Sequence, residues 1–229
     1  MGSFNETQCS SINDKEYILH SLITITPSFL IFINFILFCI IIMMGRSHTI
    51  DWGIYFSLCL CILIGCVGPQ LFKWLIGKLM HKNKKFINRP PKAGECFTCG
   101  PVLSYNISNK SFNNSIGMPS GHCFQSTFLS FLTIYQICLC VYLLRFDKKK
   151  NIDFKLENII MNNSKIFLYV SLLISIAYIS LTAWSRIKLN CHTWPQCIVG
   201  FILGLLITIV IIFLLYNTTK SIQVTDFNT

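Results

Sequence analysis

The chain has 229 residues, of which 53% are hydrophobic and only 12% charged, and its formal net charge is +10. A soluble domain of this size carries about 25% charged residues, so a water-soluble globule is excluded and a membrane protein is expected. Basic loops facing lipid headgroups and a cationic site for an anionic substrate both account for the positive balance, and no nucleic-acid partner is expected.

Residues 1 to 16 are polar and contain Glu6, Asp14 and Glu16. The apolar run that follows is too long for a cleavable signal peptide, and Glu6 stands where myristoylation of Gly2 would need Ser or Thr. A spanning helix needs about 20 apolar residues. Such runs extend from about Tyr17 to Met44, from Trp52 to Phe72 with a possible continuation to Met80, from Pro119 to Leu144, from Ile166 to Trp184 and from Thr193 to Tyr216. Lys73 and Lys78 are placed near the membrane surface at the end of the second run. The expected fold is therefore all-α: a polytopic transmembrane bundle of about five spanning helices. It forms a single domain over residues 1 to 229, with the motif-bearing core at about 52 to 216.

Loops of residues 81–118 and 145–165 separate the runs. Most of the 12 cysteines lie in apolar runs and act there as small hydrophobes. Cys96 and Cys99 form a CxxC in a polar loop, read as a local disulfide or two free thiols rather than a zinc site.

Counting crossings places the end of the second run, the start of the third and residues 185–192 at one membrane face. Arg46 and the cluster Arg145, Lys148, Lys149 and Lys150 fall on the far side, as do sequons at Asn162 and Asn217. The shared face carries sequons at Asn5, Asn106, Asn109 and Asn113, and also the basic residues Lys82, Lys84, Lys85, Arg89 and Lys92. If some of those cations bind substrate, the balance leans towards a lumenal or external shared face.

Three segments on that face hold polar groups that helix packing does not require. Lys82 is followed after six residues by Arg89-Pro90. Pro119-Ser120-Gly121-His122 opens the third run. Ser185-Arg186 is followed after five residues by His192, with Gln196 four residues on. Pro suits a first helical turn, and the N–H groups of Ser120, Gly121 and His122 at a helix start form a natural anion site. At helical spacing Gln196 can hold one imidazole nitrogen of His192 and leave the other free to attack. Lys82, Arg89 and Arg186 supply the cations that phosphoryl oxygens demand. The plainer reading of these residues is a helix start with an incidental histidine, an interfacial polar pair beside Trp194, and positive charge at a membrane rim.

Taken together, the segments resemble the motifs KxxxxxxRP, PSGH and SRxxxxxHxxxD of the type 2 phosphatidic acid phosphatase superfamily, in order and spacing, over residues 82 to 196. The resemblance implies a metal-independent lipid phosphatase without a cofactor, acting on a lipid phosphate or diphosphate at the bilayer. His192 would be the nucleophile that forms a phosphohistidine, and His122 the acid that protonates the leaving oxygen. Lys82, Arg89, Ser120, Gly121 and Arg186 would bind the phosphoryl oxygens. Gln196 replaces the family's Asp. Together with His192-Thr193-Trp194-Pro195 and Gly117-Met118-Pro119-Ser120, it looks like the dolichyl diphosphatase branch, although Gly121 keeps the general family residue. That branch implies hydrolysis of dolichyl diphosphate in the endoplasmic reticulum, with a lumen-facing site that recycles the lipid carrier for N-glycosylation. A general lipid phosphatase and a non-catalytic lipid-phosphate-binding membrane protein are the alternatives.

Overall fold

The structure, a computed structural model, describes residues 14–45, 52–79, 87–90, 116–147 and 164–225. These form five helices: α1 (Asp14–Gly45), α2 (Trp52–Leu79), α3 (Gly121–Asp147), α4 (Ser164–Lys188) and α5 (Trp194–Thr225). Each contains a stretch of 21 to 26 residues long and apolar enough to cross a bilayer. Only helices and closed barrels satisfy their own backbone in lipid, so uninterrupted Leu, Ile and Phe runs of this length become helices. Pro27 and Pro69 lie inside α1 and α2.

Helix α3 is the axis of the bundle. It packs on all four other helices, and its spanning stretch is the most buried of the five. The core is built from Phe124, Phe128, Leu129 and Leu132 of α3, with Ile41, Leu58, Cys61 and Leu215 from α1, α2 and α5. Large apolar side chains such as Phe29, Phe32, Leu63, Leu173 and Phe213 face outwards, as they must where the solvent is lipid.

Apolar burial contributes little to helix association inside a bilayer, so polar bonds and close backbone approach carry more of the specificity. Asn34 of α1, fully buried, donates to the carbonyl of Leu129 at 3.3 Å and to Thr133 Oγ1 at 2.9 Å. Gln125 of α3 donates to the carbonyl of Gly65 on α2 at 3.2 Å. On α5, a Cβ at Gly200 would lie 2.6 Å from the Ser120 carbonyl oxygen, and one at Gly204 would lie 2.8 Å from that of Phe124. This small-xxx-small pair lets α5 press against the start of α3.

The helix ends differ from the sequence expectation at two functional places. Helix α3 begins at Gly121 rather than Pro119, because Ser120 is its cap: the first helical bond runs from the Phe124 N–H to the Ser120 carbonyl at 3.0 Å. Helix α4 continues past Trp184 to Lys188, which puts Ser185 and Arg186 on its last turns rather than in a loop. Asn217 falls within α5. Lys82, Cys96, Cys99, Arg46, Lys148 to Lys150 and the sequons at Asn5, Asn106, Asn109, Asn113 and Asn162 lie outside the described residues.

Candidate active site

The six-residue interval between Arg186 and His192 is one helix stop joined to one helix start. Asn190 adopts a left-handed φ of 52°. The N–H of Asn190 bonds the Ile187 carbonyl at 3.0 Å, and that of Cys191 bonds the Arg186 carbonyl at 2.9 Å. This is the Schellman pattern, with Asn in place of the usual Gly. The His192 N–H also reaches the Arg186 carbonyl, at 3.2 Å. Thr193 then caps α5. Its N–H donates to Gln196 Oε1 at 3.2 Å, which is the return half of a capping box.

Gln196 serves three partners. Its Oε1 lies 3.2 Å from His192 Nδ1, and its Nε2 donates to the Asn88 carbonyl at 2.7 Å. A carbonyl can only accept and a backbone N–H can only donate, so the two ends of the amide are assigned by their partners. Nδ1 of His192 must then carry the proton, and Nε2 holds the free lone pair. The link to Asn88 also joins α5 to the segment bearing Arg89. That segment is fastened to the approach of α3 by bonds from the Gly117 and Met118 N–H groups to the Ile87 carbonyl, at 2.8 and 3.1 Å. A Cβ at Gly117 would lie 2.8 Å from Gln196 Oε1, so a side chain there would displace the amide.

The start of α3 docks by backbone: the Ser120 N–H bonds the Gln196 carbonyl at 3.0 Å. The expected trio of open N–H groups is therefore reduced. Ser120 is committed to α5, which leaves Gly121 and His122 of that trio. The Ser120 hydroxyl is fully buried beside the Cys123 and Cys197 thiols, with no oxygen or nitrogen partner among the described residues.

Arg89 is buried, and its Nη1 donates to the Cys191 carbonyl at 3.4 Å. Burial, with Arg186 nearby, pulls its guanidinium down to about 10, still high enough to stay charged at neutral pH. Arg186 is fully buried and bonds Thr24 Oγ1 of α1. His122 lies within electrostatic reach of Arg186, His192, Lys73 and Arg89. Burial first, then Arg89, Lys73 and Arg186, hold His192 well below the usual imidazole range, against a smaller opposing effect of the Gln196 bond. His192 is accordingly neutral at pH 7.

The structure thus brings together Arg89, Ser120, Gly121, His122, Arg186, His192 and Gln196 at one end of the bundle, as the crossing count expects; Lys82 is outside the described residues. Sequence reasoning missed the contribution of α1. His20, fully buried, bonds Ser185 Oγ through Nδ1 at 2.8 Å and stacks on Trp184 at 5.2 Å. Thr24 meets Arg186. The available signal was an ionisable residue inside an apolar run, with a hydroxyl one turn on.

Fold and site define a helical membrane protein, with five spanning helices among the described residues and two histidines and several cations gathered at one rim. The chain belongs to the PAP2 superfamily, whose family model matches residues 54–220, well over half of its length. Membership implies hydrolysis of lipid phosphates by an integral membrane phosphatase. No curated protein and no solved structure matches the chain significantly.

Proposed function

We propose that the chain hydrolyses a polyisoprenoid diphosphate, of the dolichyl type, to the monophosphate. His192 Nε2 attacks the terminal phosphorus, and the bond from that phosphorus to the bridging oxygen breaks. His122 gives its proton to the leaving oxygen of the lipid monophosphate. His122 then takes a proton from water, whose oxygen attacks the phosphohistidine. The P–N bond breaks, inorganic phosphate leaves, and His192 is restored. Arg89, Arg186, Lys82, the Ser120 hydroxyl and the Gly121 N–H would hold the phosphoryl oxygens.

The observation that carries this reading is the neutral His192, with Nδ1 engaged by Gln196 Oε1 at 3.2 Å and Nε2 left as a nucleophile beside two buried guanidinium groups. Gln196 supports the dolichyl assignment because its amide has work that the superfamily's Asp could not do, namely donation to the Asn88 carbonyl. Cys191 supports an oxidising, lumen-facing site in the endoplasmic reticulum. It adjoins His192 and is disulfide-bonded, whereas every other cysteine among the described residues is free.

The test is phosphate release by purified protein offered dolichyl diphosphate and phosphatidate in the same detergent. Faster turnover of the diphosphate is expected, and preference for phosphatidate would reject the dolichyl reading. His192→Ala should abolish release from both. Release unchanged by that substitution would leave a lipid-phosphate-binding protein as the explanation.

A further inference from the structure

Lys73 belongs to none of the three motifs, yet the fold brings it to the site. It lies within the spanning stretch Ser57–Leu79 of α2, six residues before the helix ends. At 1.5 Å per residue this is about 9 Å inside the helix end. Lys78 provides the contrast. It is exposed, and its ammonium rests 4.1 Å from the centre of the Trp74 ring, also exposed, as an interfacial lysine does. Lys73 is displaced from it by about 140° around the helix and is half-buried.

Pro69 lies one turn before Lys73 on the same face of α2. A Cβ at Gly121 would lie 3.4 Å from Pro69 Cβ and 3.8 Å from Lys73 Nζ. The ammonium therefore stands against the first residue of α3, next to His122, and within electrostatic reach of His192 and Arg89. No carboxylate neutralises Lys73 among the described residues. An ammonium inside a membrane segment without a counter-ion is expensive, and such residues mark substrate sites.

Lys73 and Arg186 approach His122 from different helices, α2 and α4. A phosphoryl group in line with His192 needs cations around its equatorial oxygens. A diphosphate brings a second anionic group, which becomes the leaving group and stays on the side of the general acid. We infer that Lys73 binds the lipid-proximal phosphate of a diphosphate substrate and makes the site selective for diphosphates over monophosphates. This rests on the diphosphatase reading above and assigns to Lys73 the part of the substrate that a lipid monophosphate lacks.

Farnesyl diphosphate and farnesyl phosphate in one detergent separate the two substrate classes. Lys73→Met should lower kcat/KM for the diphosphate about a hundredfold, the scale of one lost charge-stabilising group. The loss for the monophosphate should be under about threefold, and Lys73→Arg should recover most of the diphosphate activity. Retained monophosphate turnover shows that the variant is folded; if Lys73→Met does not fold, Lys73→Gln takes its place. Equal losses on the two substrates, an unchanged diphosphate rate, or no recovery with Arg would each overturn the assignment. Failure of the underlying reading shows separately, in the wild type: turnover of the monophosphate without turnover of the diphosphate would end both.

Discussion

Nδ1 of His192 and Oε1 of Gln196 lie 3.2 Å apart, and the same Gln196 oxygen also takes the N–H that opens α5. The orienting group of the proposed nucleophile therefore also completes the capping box of the next helix. Ring orientation and helix entry are tied to one amide.

Gln196→Ala removes both functions. A lost cap costs about 1 kcal/mol, so thermal unfolding in detergent should shift down modestly. kcat should fall further, about a hundredfold, because the tautomer of His192 is no longer selected. Gln196→Glu keeps the acceptor but turns a carboxylate oxygen towards the Asn88 carbonyl, where the amide donated at 2.7 Å. Glu should therefore lose stability as well as rate. Wild-type values for Glu in both measurements would show that the bond to Asn88 contributes nothing.

The pH profile of kcat/KM reports the free enzyme. Burial and the neighbouring cations hold His192 well below 6.5, so the acid limb that marks loss of the neutral nucleophile should lie below pH 6.5. Removing a positive neighbour makes protonation easier, which raises the pKa. The residual activity of Arg89→Gln should accordingly show its acid limb at higher pH. A limb that stays in place would contradict the coupling between Arg89 and His192.

Chelation should leave activity intact. The superfamily mechanism places the phosphoryl charge on cationic side chains, and the motifs contain no carboxylate cluster of the kind Mg²⁺ requires. Phosphate release measured with and without EDTA should agree. Loss in EDTA with recovery on adding Mg²⁺ would refute the metal-independent mechanism.

Helix α1 should matter to catalysis although it precedes the family match at residues 54–220. Thr24→Val keeps the shape but removes the oxygen that Arg186 bonds. Loss of a hydrogen bond to a buried charge costs about 1.5–3 kcal/mol, so kcat/KM should fall at least about tenfold. Thr26→Val is the control. Thr26 is half-buried, and its hydroxyl bonds its own helix, at the Leu22 carbonyl. Equal effects of the two substitutions would remove the case for a specific contact.

Much of the site could be read along the chain because its parts are contiguous. The run Pro119 to His122 and the interval Arg186 to His192 are each short stretches of backbone, and local geometry places their side chains. Asn190 was legible in principle as a left-handed helix stop. Thr193 with Gln196 was likewise legible as a capping box, a pattern that explains the spacing to His192 better than a shared helical face does. The order of the long apolar runs sufficed to put all three segments at one rim, since each crossing reverses direction.

Five long apolar runs, their alternation across the bilayer, and two histidines and several cations at one end could be read from the order of residues alone. Those properties follow from hydropathy, chain direction and local turn chemistry. Packing between helices settled which faces look inwards. It turned Lys73 towards Gly121 while Lys78 went to Trp74, set His20 and Thr24 of α1 against Ser185 and Arg186, and carried the Gln196 amide across to Asn88. These contacts join residues far apart along the chain, and their choice rests on helix rotation and close packing. Where lipid is as apolar as the core, hydropathy does not specify that rotation; buried polar bonds and the glycines that let helices approach do.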